Sequence, residues 1–424
     1  MRSIVVRGGK RLAGRVSVEG AKNSALKLMA AALMAPGTSR ITNVPDIADV
    51  DIMAEVLTGL GVTVSRSDHS LEIDASGITS VEAPYEMVAK MRASTAVLGP
   101  LVSRIGEANV AMPGGCNIGS RKIDMHIRGL EQLGVDIVLG HGYIHASAKD
   151  GLRGADITLD FPSVGATENI LMAAVLAEGR TTLENAAREP EIQDLASFLV
   201  SMGASVDGAG TPVIVVDGVE ALHPCEHRVI GDRVEAGTYL VAGALGGGPV
   251  AVEGFDPHHL DMVLSKLEQA GCTVDRRADG VTVALDGRAQ CVDIQTLPYP
   301  GFPTDMQAQF MALLAIADGS CVITENVFEN RFMFADELVR MGADIRIESH
   351  HALIKGVSQL SGAPVRSPDL RAGAALVLAG LAADGETEVG EMHHIERGYE
   401  RFVEKLVGLG ADISVVESDT PEGA

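Results

Sequence analysis

The 424-residue chain carries 34 basic and 57 acidic side chains, a formal net charge of −23, and 46% of its residues are hydrophobic. That balance argues against a nucleic-acid partner, which needs a basic footprint against phosphate. Aromatic residues at 3% with no tryptophan offer no base-stacking platform either. A small anionic substrate remains compatible if a few arginines and lysines converge against the global field.

The length suggests roughly two or three domains, each able to bury a large core. Met1-Arg-Ser-Ile-Val-Val6 enters a strand-like run directly, without a signal-peptide pattern. The longest apolar runs, Leu28–Ala35 and Ile170–Ala177, fall far short of the ~20 residues of a membrane span. Cys116, Cys225, Cys272, Cys291 and Cys321 are scattered, with no zinc spacing and no disulfide framework. The expectation is a cytoplasmic protein in a reducing compartment, with no membrane insertion and no metal.

One pattern recurs along the chain: a helix ending in Leu, then a glycine and a short β run. Its glycines are Gly61, Gly134, Gly203, Gly271, Gly342 and Gly410, at intervals of 73, 69, 68, 71 and 68. A fixed period near 70 is an internal repeat, and glycine just past a helix is the residue that ends it in a left-handed conformation. Upstream of each marker lies a second, more apolar helix that also ends near glycine: Ala25–Gly37, Ser94–Gly106, Ala166–Gly179, Ala236–Gly246, Met306–Gly319 and Gly373–Gly385. Each unit reads helix–strand–loop–helix–strand–strand, so the fold class is α/β. Six units exceed one core and are longer than solenoid repeats, which points to two domains of three units each.

Polar residues collect just before the apolar helices: Lys22-Asn23, Arg92, Ser163-Val164-Gly165, Asp232-Arg233, Thr304-Asp305 and Asp369-Leu-Arg371. Ordinary N-capping accounts for Asn23, Ser163 and Thr304. It does not account for Lys22, Arg92, Arg233 and Arg371, because a cation at a helix start is unfavourable without an anion nearby. These positions therefore suit a bound phosphate or carboxylate. The glycine-rich loop Met112-Pro-Gly-Gly-Cys-Asn-Ile-Gly-Ser-Arg-Lys122 adds Cys116 near two cations, where a thiol becomes reactive. The expectation is a multiply anionic ligand held between two domains, with Cys116 on a lid. His223-Pro-Cys-Glu-His227 lacks a second ligand pair and reads as a surface connector. The pairs His258-His259, His350-His351 and His393-His394 read as solvent-facing, and the acidic tail from Glu417 as frayed.

Gly20-Ala-Lys-Asn-Ser24, Pro113-Gly-Gly-Cys-Asn-Ile-Gly-Ser-Arg121, Phe302-Pro-Thr-Asp-Met-Gln-Ala-Gln309, Glu325-Asn-Val-Phe-Glu-Asn-Arg-Phe-Met333 and Ile395-Glu-Arg-Gly-Tyr-Glu400 occur in this order. Together they resemble the enolpyruvyl transferase family, in its branch that acts on UDP-N-acetylglucosamine. The resemblance covers essentially the whole chain. It implies two inside-out α/β domains joined by a double hinge, with 1–21 plus 230–424 as one domain and 22–229 as the other. It implies transfer of the enolpyruvyl group of phosphoenolpyruvate to the 3-hydroxyl of UDP-N-acetylglucosamine, releasing phosphate, in cell-wall peptidoglycan synthesis.

By the same resemblance, Cys116 protonates the enol carbon and can carry a covalent phosphothioketal adduct. Asp305 is the base, and Lys22 and Arg397 complete the catalytic set. Asn23, Arg92, Arg121, Lys122, Ile123, Asp124, Ser163, Val164, Gly165, Thr304, Val327, Arg331 and Arg371 bind substrate. No cofactor is implied, and a monomer satisfies the pattern. The family's tryptophan after the Arg92 position is missing from Arg92-Ala-Ser-Thr-Ala-Val97, which reads as a packing change. A shikimate-pathway enolpyruvyl transferase would lack the lid cysteine, and a catalytically dead regulatory copy would lack Lys22, Cys116, Asp305 or Arg397.

Overall fold

A computed structural model describes residues 2–112 and 123–417. The described residues form two compact units, one comprising 2–19 and 231–417, the other 20–112 and 123–230. Each has its own apolar core. Among the described residues, six four-stranded sheets repeat one arrangement, three to a unit.

The third repeat shows the logic. Strand Asp156–Thr158 leads into helix Val164–Ala174, which returns to strand Arg180–Glu184 parallel to the first, with Ile157 opposite Leu183. A parallel pair needs such a helical crossover. Helix Pro190–Ser201 then leads to the antiparallel hairpin Ser205–Asp207 and Val213–Asp217, which pairs back onto Arg180–Glu184. The leading parallel strand is absent from the sequence expectation, since at two to four residues it is too short for a period-2 pattern to register.

Three sheets are completed by chain from elsewhere. Glu226–Arg228 lies parallel to Thr38–Thr42, and Gly14–Ser17 lies parallel to Val250–Glu253. The N-terminal strand Arg2–Arg7 fills the sixth sheet between Glu386–Gly390 and Asp412–Glu417. Glu417 therefore ends a paired strand and does not belong to a frayed tail; residues 418–424 lie outside the described residues.

The first helix of each repeat is buried on nearly all sides: Lys22–Ala31, Leu98–Ile105, Val164–Ala174, Arg233–Gly246, Gln307–Ala315 and Leu370–Ala382. A helix apolar all round belongs inside a core, and its alanines and glycines let neighbours approach closely. Several helices begin earlier than the apolar pattern suggests, so Lys22, Arg233 and Arg371 sit inside the first turn. All six marker glycines adopt positive φ, from 93° at Gly61 to 105° at Gly203. In the fourth repeat the left-handed residue after the first helix is Gly247, not Gly246.

Two neighbouring glycines lead to opposite expectations. Gly408 closes helix Phe402–Gly408 with open space around a would-be Cβ, whereas Gly410 has φ +101°. Gly408→Ala is expected to stabilise the protein by about 0.5 kcal/mol. Gly410→Ala is expected to destabilise it by about 1–2 kcal/mol. Chemical denaturation of the two variants checks the signs.

Candidate active site

In the Gly20–Ile230 unit, helix Lys22–Ala31 starts after Ala21 with no side-chain cap. Asn23 is thus the second helical residue, exposed and not a cap. Lys22 is buried, with Nζ 2.8 Å from the carboxylate of Asp49, itself buried at the start of helix Ala48–Gly59. One turn on, Lys27 pairs with Glu168, whose ionisation burial opposes, raising its pKa. Ser24 donates to Asp194, whose carboxylate also accepts from the backbone N–H of Ile230 at 3.3 Å and lies 2.8 Å from His227 Nε2. Asp194 therefore ties the start of the Lys22 helix to the strand that ends this unit.

His227 belongs to that tie and packs edge-on against Phe198, so Glu226–Arg228 is a built strand, not a surface connector. Burial pushes the neighbouring Cys225 thiol up to about 11, which disfavours the thiolate a zinc ligand requires.

Several positions singled out in the sequence meet around His126, a residue that no sequence pattern singles out. His126 Nδ1 lies 3.1 Å from Asn169 Nδ2, and a Cβ on Gly165 would sit 3.1 Å from His126 Nε2. Burial, then the charges of Lys27 and Arg92, lower its pKa to about 4 against an opposing effect of Asp124, so the imidazole is neutral near pH 7. Ser163 caps helix Val164–Ala174 by accepting from the N–H of Ala166 at 3.3 Å. Gly165 leaves the first turn of that helix without a side chain beside His126. Asp124 opens helix Asp124–Gln132 directly after Ile123 and pairs with Arg128 at 2.8 Å. Cys116, Arg121, Lys122 and all of the expected lid over 112–122 except Met112 lie outside the described residues.

In the other unit, Asp305 sits between two arginines, with Arg331 Nη2 at 2.9 Å and Arg371 Nε at 3.2 Å. Both guanidinium-bearing side chains are only 4% exposed, while Asp305 is 27% exposed. Each also holds a buried Nη1 without a hydrogen-bond acceptor among the described residues. Arg371 stacks over the Tyr399 ring at 5.2 Å, and the Tyr399 hydroxyl is held by Thr238 and Gln309 at 2.9 and 3.3 Å. Burial acts to lower the Arg371 pKa, but Tyr399, Asp305 and Asp232 together outweigh it and raise the value. Arg397 is half-buried at the C-terminal end of helix His393–Glu396.

Thr304 is not a cap. Its hydroxyl donates to Glu325 at 2.9 Å. The same buried carboxylate accepts from Thr296 at 2.9 Å and from the backbone N–H groups of Val327 and Phe328 at 2.9 and 3.2 Å. Glu325 thereby fixes Thr304 and Val327 in one local frame. The carboxylates that do cap are Asp232, on Val234 and Glu235, and Asp369, on Arg371 and Ala372. Of the three expected caps, only Ser163 fills that role. Among the cations that capping left unexplained, Lys22 faces the carboxylate of Asp49 and Arg371 that of Asp305.

Residues 6–406 match the family model of EPSP synthase (3-phosphoshikimate 1-carboxyvinyltransferase). The chain belongs to this enolpyruvyl transferase family. It is 56% identical over 415 residues to the UDP-N-acetylglucosamine 1-carboxyvinyltransferase of Corynebacterium jeikeium, covering 98% of this chain and 99% of that one. It is 53% identical over 416 residues to UDP-N-acetylglucosamine 1-carboxyvinyltransferase 1 of Staphylococcus aureus, covering 97% and 99%. Among solved structures, the enolpyruvyl transferase NikO from Streptomyces tendae superposes with a TM-score of 0.88 at 30% identity, over 98% of both chains. An EPSP synthase from Acinetobacter baumannii shares the fold, with a TM-score of 0.77 at 19% identity, over 98% of this chain and all of that one.

Asp49, Glu168, Asp194, His126, Glu325 and Tyr399 are the partners that sequence reasoning missed. Glu325 and Tyr399 lie inside quoted motifs, but nothing in a motif separates a contacting residue from one that supports it.

Two expectations follow from these buried carboxylates. Glu325→Ala strands two backbone donors and two hydroxyls, and is expected to lower unfolding free energy by about 2–4 kcal/mol, read by denaturant titration. Glu235, buried beside Lys405 Nζ at 2.8 Å, has its pKa raised to about 7 chiefly by desolvation. A raised carboxyl pKa contributes stability that is full below the unfolded value and lost as pH rises toward 7. Glu235→Gln is therefore expected to flatten the fall in Tm between about pH 4.5 and 7.

Proposed function

We propose that the protein transfers the enolpyruvyl group of phosphoenolpyruvate to the 3-hydroxyl of UDP-N-acetylglucosamine and releases phosphate, the committing step of peptidoglycan synthesis. The observation that carries this reading is Asp305 clamped by two buried arginines in a chain 56% identical, end to end, to a transferase with that name.

The chemistry requires a proton on the methylene carbon of the enol and attack of the sugar oxygen on the neighbouring carbon. The tetrahedral adduct then loses a methyl proton and phosphate. Asp305 accepts the hydroxyl proton in this reading. Arg331 and Arg371 fix the position of its carboxylate for that transfer. The same two arginines lie within reach of the anionic groups of a substrate that approaches Asp305.

Arg331 and Arg371 each keep one buried N–H available to meet such an anion. Lys22 and Arg397 add positive charge for phosphoenolpyruvate, and Asn23 bonds the sugar or the adduct. Arg92, Ile123, Asp124 and the helix start Ser163–Gly165 receive the nucleotide, where backbone N–H groups of a first turn favour a diphosphate. Arg121 and Lys122 are assigned to the nucleotide, and Thr304 and Val327, both held by Glu325, to the sugar. Cys116 supplies the proton to the enol carbon and is the target of the epoxide fosfomycin.

The test is phosphate release from phosphoenolpyruvate with each acceptor. UDP-N-acetylglucosamine should support turnover and shikimate 3-phosphate should not; the reverse result assigns the chain to the other acceptor. Asp305→Ala and Cys116→Ser are each expected to lose about 10²-fold or more in kcat with the fold retained. Fosfomycin should abolish turnover, and full activity after saturating epoxide would remove Cys116 from its role.

A further inference from the structure

The unit containing Gly231–Ala424 holds a second polar cluster that the transfer reaction does not use. Glu391 directly follows strand Glu386–Gly390, and His393 and His394 are the first two residues of helix His393–Glu396. Glu391 is held at φ +60°, a left-handed conformation that a glutamate rarely adopts. Its carbonyl accepts from the N–H of His394 at 3.1 Å, which closes the turn. The turn brings one carboxylate oxygen and one nitrogen from each imidazole within 4.8 Å of one another. His393 Nδ1 is already 3.4 Å from the Glu391 carboxylate, and the two imidazole centroids are 4.1 Å apart.

We propose that Glu391, His393 and His394 form a site for a borderline divalent transition metal such as Zn²⁺ or Ni²⁺, with two nitrogen ligands, one oxygen ligand and a position open to solvent.

The donor set decides the class of ion. Imidazole suits zinc, nickel, cobalt and copper, whereas magnesium and calcium prefer all-oxygen shells. Three protein ligands with one open position is the arrangement of exchangeable rather than sealed zinc sites. The ligands come from one turn of chain, so folding of that turn alone sets most of the geometry. His393 is 61% exposed and Glu391 26% exposed, so the small rotations that shorten three donor separations meet little packing resistance. Glu391 and Asp369 offset the repulsion that a dication would meet from Arg397. The adjacent histidines, which alone read as a solvent-facing pair, thus gain a third ligand through the fold.

The test uses the full-length chain, stripped of metal and titrated with Zn²⁺ and separately with Ni²⁺ in competition with a chromophoric chelator. About one equivalent of each is expected to bind, and His393→Ala and Glu391→Gln are each expected to weaken binding at least tenfold. Thermal melts establish that both variants fold. The readout is metal occupancy and needs no turnover, so it stands apart from the assigned reaction. Absence of binding overturns the proposal. So does unchanged affinity in both variants, which would place the ion elsewhere, for example on a cysteine.

Discussion

Charge burial is the constraint on which the rest of this structure depends. The apolar first helix of each repeat is sunk in its core, and the residues opening these helices include lysine, arginine and aspartate. A charge removed from water needs a close partner, and removing one member of such a pair costs about 3–5 kcal/mol. Lys22 with Asp49, Lys27 with Glu168, Lys405 with Glu235, and Arg331 and Arg371 with Asp305 are the answers this chain supplies. These matched pairs allow a protein of net charge −23 to keep cations buried without a large loss of stability.

The pairs also explain how a structural device becomes a chemical one. A cation satisfied by an internal carboxylate is ordered before substrate arrives, which lowers the entropy lost on binding. In the proposed reaction an anionic substrate competes with the internal carboxylate. At Asp305 that competition falls on the group assigned to accept the proton in the proposed reaction. The supporting residues keep the exchange local. Glu325 holds Thr304 and Val327, Tyr399 backs Arg371, and Asp194 anchors the helix that carries Lys22 and Asn23.

Much of the architecture is legible in the sequence because it repeats. A glycine every 70 or so residues has a backbone reason, positive φ, and that reason holds at all six sites. The buried helices are legible from their apolar runs, although their starts are not, because a first turn containing Lys22 or Arg371 breaks the apolar pattern while remaining helical. The short parallel strands and the three sheets completed by distant chain are not legible, since strand pairing across some 185 residues, as between Glu226–Arg228 and Thr38–Thr42, leaves no local trace. At the site, motifs name Asp305 and Arg331, and a polar helix start names Arg371, but neither shows how they are joined. Asp49 and Asp194 lie outside every quoted motif and look like ordinary surface acids until the fold places them. Thr304 illustrates the opposite error: a threonine ahead of a helix reads as a cap, while its hydroxyl serves Glu325.

The most direct measurement is a double-mutant cycle on Lys22 and Asp49, whose side chains are 11% and 2% exposed. Unfolding free energies of Lys22→Met, Asp49→Leu and the double variant would be compared with the parent. If matched burial holds these helix starts, each single change is strongly destabilising, the double change recovers much of the loss, and the coupling reaches about 2 kcal/mol or more. Additive losses with coupling near zero would mean that the two charges are buried independently, and that pairing is not what keeps cations at the starts of these helices.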